Sequence, residues 1–234
     1  MYSFQTEVRY SEVGVDGKTP ISSIVNYFQD CSTKQSESIG QGVDTMMKRN
    51  KGWFLTAWQI IINRYPKFGE EIIIGTWAHS FKGFYGERNF VIYDENHEIL
   101  AAANTLWALV SLETGHPTKI MQEDQEGYPM EDKLDMNYLP RKIKMPDEYE
   151  GLEEFRVRKY NLDTNHHVNN AQYIQMAEEY IPDGIVIKQM RAEYKKSAVY
   201  KDIVVPKVAR EDGRYVVELC NQEDTVYAII EFVV

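Results

Sequence analysis

The densest run of chemically competent side chains is Asp163-Thr164-Asn165-His166-His167-Val168-Asn169-Asn170, which holds two of the chain's five histidines. It lies between a strand-like stretch at 154–160 and an amphipathic stretch at about 168–180, so it reads as a short loop feeding a helix start. In an extended loop, residues 163, 165 and 167 project to one side and bring a carboxylate, an amide and an imidazole together. With the N–H donors of the helix start, these are the ingredients of acyl hydrolysis by activated water. They supply a base, an orienting group and donors for a developing oxyanion. Asn169 and Asn170 also suit helix capping, and Asp163 favours the helix dipole. His166 points the other way and reads as a packing or surface residue. A metal fits poorly, because adjacent histidines do not easily reach one ion and no other cluster has ligand spacing. Other nucleophile signatures are missing, with no G-x-S-x-G, no Walker loop and no G-x-G-x-x-G after a strand, and no cofactor is expected.

The elements that must position this run repeat along the chain. In the first half, Phe4 to Arg9 alternates as a short strand. A helix follows over 20–38, beginning at Pro20 and placing Ile21, Ile24, Val25 and Phe28 on one face. Four β-rich runs come next, at 53–65, 71–79, 85–93 and 98–112, broken at Pro66 with Gly69, at Lys82-Gly83 and at Asp94-Glu95-Asn96. The second half gives strand-like 154–160, the helix at 168–180, and strands at about 185–196, 202–210, 214–220 and 225–234. Matches at shrinking offsets support an internal duplication: Tyr27 and Gln29 with Tyr173 and Gln175 at 146, Phe68, Glu70 and Ile72 with Tyr200, Asp202 and Val204 at 132, and Arg88, Val91 and Ala101 with Arg214, Val217 and Tyr227 at 126.

The expected fold is α+β: two like modules, each an antiparallel sheet wrapped around a long helix. Residues 122–151 are rich in charge and proline, and the division is 1–125, a linker at 126–151, and 152–234 carrying the polar run. Such a module leaves a sheet edge and one face to cover. Pairing the two halves is expected to close the sheet and create a ligand crevice.

Composition narrows the partners. Thirty-six acidic against 26 basic residues give a net charge of −10, which argues against a nucleic-acid surface. No apolar run approaches about 20 residues, so no membrane span is expected. Two cysteines, Cys31 and Cys220, do not make a disulfide scaffold, and no export signal is visible, so a cytoplasmic setting is expected. Basic clusters stand out locally, among them Arg141-Lys142-Lys144 and Arg191-Lys195-Lys196. They read either as solvated faces or as a docking patch for something acidic.

The run from Leu162 to Tyr173 resembles the active-site segment of the acyl-acyl carrier protein (acyl-ACP) thioesterases. Arg64-Tyr65-Pro66 with Gly69, Thr76-Trp77, the strand pair around Arg88, Ala103 to Ala108, and Ala192-Glu193-Tyr194-Lys195-Lys196 extend the resemblance over nearly the whole chain. It implies two fused hotdog modules. It also implies hydrolysis of fatty acyl-ACP to free fatty acid, with Asp163, Asn165 and His167 at the positions of the family's catalytic aspartate, asparagine and histidine. Either Asp163 or His167 would take the proton from water. The acyl chain would lie in an apolar channel formed mainly by the first module. Plant members carry a plastid transit peptide; lacking one, the chain resembles a bacterial relative. It departs from the family where a glutamate, often followed by cysteine, is expected: Ser197 and Ala198 stand there. That excludes a cysteine nucleophile at that site and favours water. The expected partner is ACP bearing a fatty acyl chain, engaged by a monomer or a homodimer. The rival readings are an acyl-CoA thioesterase of the same fold and a non-catalytic acyl-binding module.

Overall fold

The computed structural model describes residues 1–234, and by its internal contacts the chain divides into two units. The first comprises Met1–Thr56 with Ile62–Tyr138, the second Ala57–Ile61 with Leu139–Val234. No helix is long and apolar enough to cross a membrane.

The first unit runs β1 (Tyr2–Glu7), α1 (Ile21–Ser38), α2 (Val43–Lys48), β2 (Lys51–Ile62), β3 (Glu71–Lys82), β4 (Tyr85–Tyr93), β5 (Ile99–Ser111) and the single turn α3 (Gln122–Gln125). Its strands lie in the order β1-β3-β4-β5-β2. α1 buries Ile21, Ile24, Val25, Phe28, Cys31 and Gln35, the spacing of one helical stripe. Phe28 meets Phe90 of β4 with ring centroids 5.1 Å apart. Gly83, at φ +66°, takes the left-handed turn position between β3 and β4. After α3 the chain is tied down rather than free. Trp77 Nε1 donates to Asp132 O (2.9 Å), and Asn89 Oδ1 accepts from Leu134 N and from the Tyr138 hydroxyl (3.1 Å each).

The second unit contains β6 (Glu150–Gly151), β7 (Phe155–Arg156), α4 (Asn170–Glu178), β8 (Gln189–Tyr194), β9 (Ile203–Glu211), β10 (Arg214–Cys220) and β11 (Val226–Val233). The centre of β2 pairs with β8, and β11, β10, β9 and β6 follow in that order, with β7 also on β9. The strand expected over 154–160 is only Phe155–Arg156. Asn161 ends it, because its side chain accepts from Arg158 N (2.9 Å) and winds Lys159–Asn161 into a 3₁₀ turn. The helix expected over 168–180 is half as long as α1.

The duplication holds at the level of individual backbone bonds. Val8 exchanges bonds with Gly69 and Glu70 as Val157 does with Lys201 and Asp202. The bridge Lys18–Lys67 corresponds to His167–Val199. These fix offsets of 149 and 132, the second as expected from Phe68, Glu70 and Ile72. The helix offset of 146 is corrected to 149, since the cap residues Pro20 and Asn169 correspond, and buried Ile24, Val25 and Phe28 fall on buried Tyr173, Ile174 and Ala177. The offset of 126 is corrected to 127. Ile73 pairs with Tyr93 where Val205 pairs with Cys220, so Arg88 corresponds to Tyr215 and not to Arg214. A slip of one residue turns a side chain to the other face of a sheet. Arg88 accordingly meets Gln35 of α1, while Arg214 reaches Glu231 and Lys144 O.

Candidate active site

The polar run is a tight turn, not the extended loop expected from alternation. Leu162 and Val168 bridge, Asp163 N donates to His167 O (2.7 Å), and His166 N donates back to Asp163 O (3.1 Å). His166 sits at φ +61°, which lets the chain reverse there. Asp163 stabilises the turn with its own carboxylate: Oδ1 accepts from Asn165 N (2.8 Å) and His167 N (3.1 Å). Asp163 and His167 are therefore cross-strand neighbours, and such a pair presents its side chains on one face. Both are half-buried. Asn165 is brought to the exposed tip of the turn, and His166 is exposed beside it.

Four further contacts hold the turn, all within the second unit. Val168 N donates to Ala198 O (2.9 Å), and Ala198 N donates to the Tyr173 hydroxyl (2.7 Å). Asn169 N donates to Asn161 O (2.9 Å), and the Tyr194 hydroxyl donates to Asn170 O (3.0 Å). Burial pushes the phenols of Tyr173 and Tyr194 well up, so both remain neutral hydroxyls. Val199, paired with His167, is braced in turn: its N–H donates to Asp202 Oδ2 (3.0 Å), which also accepts from the Tyr227 hydroxyl (3.1 Å). Sequence reasoning missed Asn161, Tyr173, Tyr194 and Asp202. Tyr173 and Tyr194 fall within the stretches that carry the resemblance but had no role assigned to them, and only the packing of α4 on the sheet brings all four to the turn.

The start of α4 is less open to an oxyanion than expected. Asn169 caps it, its Oδ1 accepting from Ala171 N (2.9 Å), and Gln172 N donates to Asn169 O (2.9 Å). Ser197, where the resemblance implies a glutamate, is exposed, and Ala198 is fully buried.

The first unit provides an internal control. Its matching turn is Gly14 to Thr19, with Gly14 N donating to Lys18 O (2.8 Å), Gly17 N to Gly14 O (3.0 Å), and Gly17 at φ +73°. The backbone is the same, but glycine replaces the aspartate and lysine replaces the histidine. One scaffold occurs twice and carries the aspartate and the histidine once.

The basic clusters are regrouped. Arg191 leaves the surface: only 12% of its side chain is exposed, its Nε donates to Glu231 and its Nη1 to Pro140 O (2.9 Å). Arg141 and Lys195, from the two separate clusters, flank the buried carboxylate of Glu193 at 3.9 and 3.7 Å. Lys142, Lys144 and Lys196, close to them in sequence, are exposed.

The acyl-ACP thioesterase N-terminal domain model matches residues 1–128, and the C-terminal domain model matches residues 144–231. The chain is 26% identical over 226 residues to an oleoyl-acyl carrier protein thioesterase of Arabidopsis thaliana, covering 87% of this chain and 62% of that one. It is 30% identical over 228 residues to an acyl-[acyl-carrier-protein] hydrolase of Cuphea viscosissima, covering 88% and 55%. It thus spans roughly three fifths of the length of these curated relatives. An acyl-ACP thioesterase from Bacteroides thetaiotaomicron superposes with a TM-score of 0.91 at 19% identity, covering 99% of this chain and 96% of that one. The 12:0-ACP thioesterase from Umbellularia californica gives 0.84 at 22% identity, covering 99% and 96%. The fold is that of two fused hotdog modules.

Proposed function

The chain belongs to the acyl-ACP thioesterase family, and from that premise we propose that it hydrolyses the thioester of fatty acyl-ACP and releases free fatty acid. The observation that supports this reading best is the Asp163–His167 pair, held across a turn whose counterpart in the first unit lacks both groups. A thioester needs only water, a proton acceptor and stabilisation of the carbonyl oxygen in order to cleave. Asp163 Oδ1 already accepts two backbone N–H bonds, so its role is to fix the turn and orient. His167 takes the proton from water as the oxygen attacks the carbonyl carbon. The carbon–sulfur bond breaks, and the proton leaves with the thiol of the carrier arm. Asn165, at the tip, donates its amide to the carbonyl oxygen.

Thiol release from acyl-ACPs of graded length, with matching acyl-CoAs alongside, tests the activity and separates the two carriers. His167→Ala and Asp163→Ala are each expected to lower turnover about 10²–10⁴-fold with the fold intact. Near-full activity in His167→Ala overturns the assignment. We further propose that the acidic carrier lands on Arg141, Lys142, Lys144, Lys195 and Lys196. One feature favours a second reading, acyl binding without turnover: exposed Ser197 occupies the glutamate position. Silence on every thioester by a folded protein that still binds acyl chains selects it.

A further inference from the structure

The first unit contains a charge that nothing in the chain neutralises. Arg88, on β4, faces α1 and keeps only 8% of its surface accessible. Its Nη1 donates to Gln35 Oε1 and to Thr76 Oγ1 (3.2 Å). The ionisable groups that face it are Tyr128 and Cys31, a phenol and a thiol rather than a carboxylate. Burial pushes the Cys31 thiol up to about 12, so it brings no negative charge. The contrast with Arg191 is direct, since that similarly buried arginine has the carboxylate of Glu231. A buried ion left without a counter-charge is costly.

The surroundings indicate what would complete the site. Arg88's remaining nitrogens find no acceptor in the protein and are not sealed off from free space. The Tyr128 ring centroid lies 5.3 Å from the guanidinium carbon. Phe81 stands 5.9 Å from Tyr128 and 6.0 Å from Trp53, which makes an apolar wall. Gly86, two residues along the strand from Arg88, lets the rings of that wall lie against the strand: a Cβ there would meet Phe81 at 3.1 Å and Trp53 at 3.2 Å. A fork of free N–H donors beside an aromatic wall suits a planar two-oxygen anion on an apolar body.

We propose that the interior of the first unit binds an apolar molecule ending in a carboxylate, held by Arg88. Two sources share this chemistry: a free fatty acid, or a tethered acyl chain carrying a carboxylate at its far end. Neither requires the turn at Asp163–His167, so the proposal stands apart from hydrolysis.

Calorimetric titration of the full chain with dodecanoate and with dodecan-1-ol tests it. The wild type is expected to bind dodecanoate about tenfold more tightly than the alcohol, and Arg88→Met to erase that difference. Equal binding by the wild type, or an undiminished preference in Arg88→Met, overturns the proposal; the melting temperature reports whether the variant folds. If it does not fold, carboxyl-labelled dodecanoate on the wild type decides by NMR. A bound carboxyl that titrates below the free acid supports Arg88 as its partner, and one that titrates like the free acid refutes it. Comparing dodecanedioyl-ACP with dodecanoyl-ACP for binding separates the sources. An Arg88-dependent preference for the former identifies the tethered chain, and no preference with dodecanoate binding intact identifies the free acid.

Discussion

The imidazole of His167 owes its position to backbone bonds: the His167 backbone N–H donates to Asp163 Oδ1, and the His167 carbonyl accepts from Asp163 N. The partner side chain is thus built into the same turn, and Asp163→Asn is expected to loosen the turn as well as to slow turnover. The Asn169 cap is separable. Asn169→Ala is expected to cost about 1 kcal/mol, measured by urea unfolding, because Ala171 N loses its acceptor. His79 behaves differently. Its Nε2 is 2.9 Å from Asn104 Oδ1, its Nδ1 is buried without a partner, and burial lowers its pKa below 6.5. A base whose folded pKa is depressed adds stability above its unfolded pKa and loses it as pH falls through the folded value. Unfolding midpoints are expected to fall below about pH 6.5 in the wild type, and less steeply in His79→Gln. Asp163, Asn165 and His167 were legible because a polar cluster abuts an amphipathic run. Their arrangement was not, since alternation assumes an extended chain and the positive φ of His166 reverses it.

Among the elements, β11 carries the clearest energetic risk. Glu231 is buried and shared by Arg191 and Arg214. Burial alone would raise its carboxyl, but the bonds from the two arginines outweigh that and hold it below 4.5. Its stabilisation is present above that value and is lost as pH falls through the folded pKa. Glu231→Ala leaves the partly buried Arg191 without a carboxylate and Arg214 with Glu211 alone, and is expected to destabilise the protein by about 3–5 kcal/mol in urea unfolding. Tyr173→Phe leaves the buried Ala198 N–H without its acceptor and is expected to cost about 1–3 kcal/mol. The strands were readable from β-branched runs and turn residues, and helix α1 from its apolar stripe. The register of the duplication was not. Arg88 and Arg214 match as letters but occupy opposite faces, because pairing decides which residue of a strand faces the helix.

For the whole molecule, a net charge of −10 must coexist with the proposed capture of an acidic carrier. The proposed patch meets this locally, with Arg141 and Lys195 sharing one carboxylate. Charge reversal at Lys195 and Lys196 is expected to raise KM for acyl-ACP several-fold, to flatten its dependence on salt, and to spare small soluble thioesters. Equal loss on both substrates removes the docking role.

Sequence alone determined the class of fold and the repetition of one module, and it singled out the polar segment proposed to carry the chemistry. These follow from local periodicity, turn residues and residue type, each readable within a short window. Only the tertiary structure decided that Asp163 and His167 face each other across a reversal, that Arg191 is spent on Glu231, and that Arg88 has no counter-charge. Those outcomes depend on which distant side chains meet, and charge compensation in a buried space is settled by neighbours that lie far apart along the chain.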